Sequence, residues 1–309
     1  ANGFTTRLIA AHNVTAADSM VFRSGGSQKF LWVDDVNIQG PGRAIGDSPL
    51  MGNLWTGMWV TNTEIRDVRD AVKEAAIARD VEVERISSDA FSMSRLVVNS
   101  SVDDVDGEGT PNHPDVFQFH GSRNIDNMIV YGVRATNIKA QGIFARGPER
   151  VDNVAFVNLL MERAHDLEPG GRASQWMDVA TNHFLMLGTT MPNYTFSWRT
   201  ANLQNVHVRG SLFHKMSVGS TGNGGTAFVS DSWFRNNHFV DTESYGALRV
   251  GLDATSGDPM FMDALNDDFR PREGSPLLNR VSSPLIKIDA RGHNRGVIAT
   301  VGAYEVNEE

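Results

Sequence analysis

Apolar and other residues alternate along this chain in short phrases, each closed by a small or polar residue. Nine such phrases are Leu31–Asp35, Met58–Asn62, Ala76–Asp80, Leu96–Ser100, Met128–Gly132, Val154–Asn158, Phe184–Gly188, Val206–Gly210 and Ser232–Asn236. Alternation over four residues is a strand signal, and the closing Asn, Asp, Gly or Ser is a turn signal. From Asp35 to Asn236 there are 201 residues in eight intervals, about 25 per interval. A period of that length indicates a solenoid or a propeller. Propeller blades need about 40 residues, so the period predicts an all-β parallel β-helix of nine to ten coils. Val68–Arg79 has helix-like spacing but reads better as another coil.

A second set of phrases runs in step with the first. Asp70 opens DAVK, Asp89 opens DAFS, Asp115 opens DVFQF and Gln141 opens QGIF, at intervals of 19, 26 and 26 residues. The period of two turns Phe91, Met93, Phe117, Phe119, Ile143 and Ala145 inward. Stacking coils about 4.8 Å apart then builds an outer file of Lys73, Ser92, Gln118 and Phe144. Ala75, Ser94, His120 and Arg146 form the next file. A mixed polar, aromatic and basic face of this kind suits a sugar chain, and an ordinary solvated sheet face is the bland alternative.

Loop lengths single out two coils. Turn to phrase takes 8 residues from Asn62 to Asp70 and 9 from Asp80 to Asp89, but 15 from Ser100 to Asp115. The extra residues end at His113. The interval from Asn158 to Gly188 is also long, and carries His165, Asp166, Glu168, Arg172, Trp176 and Asp178. Insertions on one face of a solenoid commonly wall a binding cleft, and two unrelated surface loops are the plainer reading.

Past Asn236 the phrases stop. Residues 1–250 are read as the β-helix and 251–309 as a C-terminal capping segment on the same domain, because a solenoid must cover the apolar end of its last coil. The 309 residues are 40% apolar, enough for a substantial core. A net charge of -9 argues against a nucleic-acid or anionic-membrane partner. With no cysteine there are no disulfides or thiolate metal sites. No apolar run approaches a membrane span, and the absence of a basic-then-apolar start is the expectation for a mature exported chain. The oligomeric state is not legible.

The Asp-small-apolar phrases and the strands that follow them resemble the secreted bacterial right-handed parallel β-helix proteins of the pectate-lyase-like superfamily. The tail (Asp258-Pro-Met-Phe, Gly274-Ser-Pro, Asp289-Ala-Arg-Gly, Gly302-Ala-Tyr-Glu) is similar to the closing segment of exported members, although Leu278–Val281 departs from it. The resemblance implies a secreted or cell-surface protein acting on a polysaccharide, with three readings open. A lyase would cleave a uronate polymer by β-elimination, using His113, Lys73, Arg79 or His120 as base and acid. Ser92, Gln118, Phe144, Arg146 and Trp176 would bind the substrate, Arg146 at its carboxylate. A carbohydrate-binding or adhesive β-helix needs no catalytic residue. A glycoside hydrolase would use two carboxylates, with Asp89 and Asp115 about 5 Å apart. Stacked Asp89 and Asp115 are also candidate calcium ligands, since like charges one coil apart need compensation. The alternative is that each Asp caps its own turn through backbone N–H groups.

Overall fold

The computed structural model describes residues 8–17, 22–23, 30–40, 50–51, 57–107, 114–120, 124–147, 150–164, 173–177, 180–199, 202–218, 228–230, 233–240 and 253–306. Among these the one helical element is a single 3-10 turn, Ala264–Asn266, and parallel pairings join 25 strands. The strands stack in three columns, so the chain is a parallel β-helix. The first column includes Phe91–Ser92, Phe117–His120 and Ile143–Arg146, and the second Leu96–Val98, Ile125–Tyr131 and Arg150–Val157. Ser101–Val105, Arg134–Ile138 and Leu160–Arg163 belong to the third. The helix-like stretch is strand, as expected: Val72–Lys73 lies in the first column and Ile77–Ile86 spans the second and third.

The phrase endings make the corner between the second and third columns. Asp35, Asn62, Asp80, Asn99, Gly132, Asn158, Gly188, Gly210 and Asn236 all sit at φ between 48° and 63°. Every one is Asn, Asp or Gly, the residues that enter the left-handed region at least cost. In Leu96–Ser100 it is Asn99 that turns, one residue before the expected Ser100. Ser100 is instead buried, and its hydroxyl accepts from Val81 N–H at 3.2 Å.

Inward positions of successive coils fill one continuous core. Its middle is an aromatic chain, with ring centroids 5.8 Å apart for Phe117 and Phe156 and 5.7 Å for Phe156 and Phe184. Phe184 in turn meets Trp198 at 5.5 Å. Stability is therefore passed from coil to coil through contacts between neighbours.

Thr255–Ser256 adds a further strand to the third column beside His238–Phe239. The chain from 258 to 306 then runs back along the flank of the solenoid. It is held at the left-handed corner: Asn236 donates to Arg280 O at 3.0 Å, Gly302 N–H to Gly210 O at 2.8 Å, and Asn158 to Ile288 O at 2.9 Å. Arg134 reaches Asp267 O at 3.1 Å at the far end. Gly188 has no room for a side chain here, because a Cβ would lie 3.0 Å from Asn158 Oδ1 and 3.2 Å from Gly302 O.

Arg295 organises this segment. It is 8% exposed and donates to Gly302 O at 2.8 Å, Thr300 O at 3.0 Å and Glu305 Oε1 at 2.8 Å. Arg295→Met leaves the Glu305 carboxylate without its cation, a change that costs about 3–5 kcal/mol for a buried pair. The expected result is earlier cleavage within 258–306 under limited proteolysis while the coil core stays intact. Equal resistance of variant and wild type would refute it.

Candidate functional site

The first column places Lys73, Ser92, Gln118 and Phe144 in one register file, the expected arrangement. His120 and Arg146 are direct cross-strand partners in the next outward file. Two details differ from the sequence reading. Ser92 faces outward by register yet is only 2% exposed, a short side chain sheltered among the longer Lys73, Gln118 and Phe144. Ala75 and Ser94 do not continue the His120 file, because the backbone turns at Glu74 and Met93, both at φ 52°. Those coils end their strands two residues earlier than Phe117–His120 and Ile143–Arg146 do.

Asp70, Asp89 and Asp115 stack at the corner that feeds this face, and they are 2%, 3% and 0% exposed. Asp70 and Asp89 each serve the following coil rather than their own turn. Asp70 Oδ1 accepts from Asp89 N–H at 3.4 Å, and the Asp89 carboxylate accepts from the Asp115 backbone. The residue three positions later returns to the acid, with Lys73 Nζ 3.1 Å from Asp70 Oδ2 and Gln118 Nε2 3.4 Å from Asp115 Oδ2. Burial alone would raise the Asp70 carboxyl, but Lys73 and hydrogen bonds from Ser88, Arg69 and Lys73 hold it below its ordinary value. Asp89 has no such cation of its own. Burial, then the charges of Asp115 and Asp70, push it well above the usual carboxylate range.

Among the described residues no group of three or more His, Cys, Asp or Glu converges on one point. A hydrolytic pair needs two carboxyls open to the sugar, whereas Asp89 and Asp115 are 3% and 0% exposed. Their arrangement is that of corner supports which hold Lys73 and Gln118 in position on the outer face.

His120 lies on the exposed side of the column, with its imidazole held below the ordinary value by partial burial and then by Lys73, against the opposing charges of Asp70 and Glu74. It is therefore neutral at pH 7 and able to accept a proton. Arg146 beside it is exposed. Lys73, Asp70, Glu74 and His120 thus share one electrostatic neighbourhood.

Other expected residues lie elsewhere. Arg79 belongs to the second column, opposite Thr61 and Val98, and pairs with Asp80 at 3.1 Å. It is on another face from Lys73 and His120. Trp176 pairs in register with Ala145 and Trp198. His113 lies outside the described residues, as do the insertion residues 165–172.

The roots of both insertions are described and they lie on one edge. Val105 and Arg163, the last third-column residues before the two insertions, both pair with Ile138. The chain re-enters the first column at Phe117–His120 and Ala173–Met177, the two neighbours of Ile143–Arg146. The roots of the insertions thus lie at the same corner two coils apart, on either side of the coil that carries Arg146.

Sequence reasoning missed a second polar cluster, on the third column. Glu162 is 2% exposed, and its carboxyl is raised to about 9 by burial, then by its hydrogen bond to Asp267 and the Asp267 charge, with Arg134 opposing. Arg134 in turn lies 3.4 Å from Asp267 Oδ2 and 3.5 Å from Tyr304 Oη. Glu162 and Arg163 close the strand LMER, and nothing in that alternation marks them as buried.

Fold and face together define a parallel β-helix protein with an open, partly cationic sheet face. Comparison with protein-family models, curated proteins and solved structures found no match. Among the described residues no helix is long and apolar enough to cross a membrane.

Proposed function

We propose that the first-column face binds a uronate-containing polysaccharide and cleaves it by β-elimination, as in exported members of the pectate-lyase-like superfamily. The observation that carries this reading is the cross-strand pair of His120 and Arg146 on adjacent coils of the first column. A neutral imidazole beside a guanidinium suits proton abstraction next to a carboxylate. Arg146 would neutralise the uronate carboxylate, which stabilises the charge that develops when the C5 proton leaves. His120 would take that proton. The C5–H electrons then form the C4–C5 double bond as the C4–O4 bond breaks, and the Lys73 ammonium supplies the proton to the leaving oxygen. Gln118 and Phe144, half-buried in the next file, provide a hydrogen-bonding group and a ring face for the neighbouring sugar. This chemistry belongs to a secreted or cell-surface protein of bacterial type.

The test is a panel of uronate polymers, polygalacturonate and alginate among them, followed by the ultraviolet absorbance of the unsaturated product. His120→Ala is expected to lower the rate by about 10²–10⁴-fold without altering the melting temperature. The wild-type rate should rise with pH up to the depressed His120 value, because only the neutral imidazole accepts a proton. New reducing ends without absorbance would replace elimination by hydrolysis. Retention of the polymers with neither product would leave a carbohydrate-binding β-helix.

A further inference from the structure

The second column carries an apolar stripe on its outer face. Its register runs unbroken through Trp32, Trp59, Ile77, Leu96, Ile129, Ala155, Leu185 and His207. Trp32 is 38% exposed, Trp59 41% and Ile129 46%, although these positions lie outside the coil. The next outward file runs from Asp34 to Arg209 and on to Arg235, and between Asp34 and Arg209 only Arg79, already paired with Asp80, is charged. On a chain of net charge -9, a long uncharged stripe is where another acidic molecule meets least repulsion.

The two ends of the stripe are complementary to each other. At one end stand Trp32 and Trp59 beside Asp34. At the other, Leu285 of the C-terminal segment, 65% exposed, lines an open hollow of about 270 Å³ with Leu185, Leu187, His207, Arg209 and Arg235. The C-terminal segment covers the corner only from Gly132 onward, whereas the corner residues Asp35, Asn62, Asp80 and Asn99 are exposed. One half of the face is raised and the other is bare.

We infer that a second copy of this chain packs on the stripe with its solenoid axis reversed, forming a two-fold dimer. A rotation axis between the Leu96 and Ile129 coils brings the row of Trp32 and Asp34 opposite the row of His207 and Arg209. It also brings Trp59 opposite Leu185, at the hollow that Leu285 lines. Each copy then offers tryptophans to the partner's hollow and an Asp to its Arg, and each raised half lies over the bare half of the other. This is the self-complementarity that an isologous interface requires, with tryptophan as the anchor type that dominates interfaces. Eight rows at ~4.8 Å make a face roughly 35 Å by 15 Å. That is roughly 1,000 Å² across the pair, the lower bound for a specific interface, so a concentration-dependent dimer is expected.

Sedimentation of the full chain over a wide concentration range tests this. The mass should rise from 33.9 kDa to twice that value. Ile129→Glu, on an exposed side chain at the two-fold axis, should hold the chain monomeric with an unchanged melting curve. Asp34→Arg and Arg209→Asp should each weaken association at least tenfold, and the two combined should restore it, because reversed packing recreates both pairs. A monomer at every concentration, or a dimer that survives Ile129→Glu, would overturn the proposal. Failure of the double variant to recover would overturn the reversed arrangement.

Discussion

Phe156→Ala is expected to lower the unfolding free energy by about 3–5 kcal/mol, the range for emptying a buried aromatic site. Phe156 is fully buried and touches rings in three directions, Phe117 and Phe184 in the neighbouring coils and Phe119 at 6.3 Å. A backbone stacked at fixed spacing cannot collapse into the space left behind, which places the cost toward the upper end. Because each coil is stabilised by those on either side, the loss falls on both flanks of the core. Denaturant unfolding of wild type and variant measures it, and a difference below about 1 kcal/mol, the cost of a surface change, would show that the aromatic chain is not the support described.

Glu162→Gln is expected to remove much of the pH dependence of stability on the alkaline side. Glu162 has a folded-state value of about 9 against an ordinary 4.5, so the sign is that of a raised acid. Below 4.5 it is protonated in both states and its favourable contribution is complete. Between 4.5 and 9 the unfolded chain releases the proton while the folded chain keeps it, so stability falls across that window and levels off above it. Glutamine keeps a hydrogen-bond donor toward Asp267 and does not titrate. The melting temperature of the variant relative to wild type should therefore climb from acid to alkaline pH, by about 2–4 °C for each kcal/mol. A constant difference from pH 5 to 9 would show that Glu162 is not held protonated.

How much of this was legible differs from feature to feature. The coil repeat was, because turns between strands demand a left-handed residue and the chain supplies Asn, Asp or Gly at each. The one-residue offset at Asn99 was not, since Ser100 satisfies the same turn chemistry on paper. The file of Lys73, Ser92, Gln118 and Phe144 followed from a period of two, but the shelter over Ser92 depends on neighbouring side-chain lengths. The two insertions were visible as spacing, and the common edge of their roots needed strand register. The aspartate stack illustrates the same limit: residue type announced a cap, and only the register shows that the capped N–H belongs to the following coil.

The place of Arg79 and the burial of Glu162 both lacked a local signal. Arg79 lies close to Lys73 in sequence, yet a corner separates their columns. Glu162 closes an ordinary strand phrase, and its burial comes from a segment more than a hundred residues later. The outer stripe, by contrast, had an unused signal. Leu96-Val-Val98, Met128-Ile-Val130 and Leu185-Met-Leu187 are apolar on consecutive positions, the mark of a strand covered on both faces.

The flank segment also divides the solenoid energetically. From Arg134 to Asn236 the coils are tied together sideways by one strap through Asp267, Ile288, Gly302 and Arg280. The coils before Gly132 carry no such tie among the described residues. Under tension applied at the N-terminus, the early coils have only their neighbours to hold them and peel in sequence. The strapped half resists as a block, because none of its coils can leave until Arg295 lets the segment go.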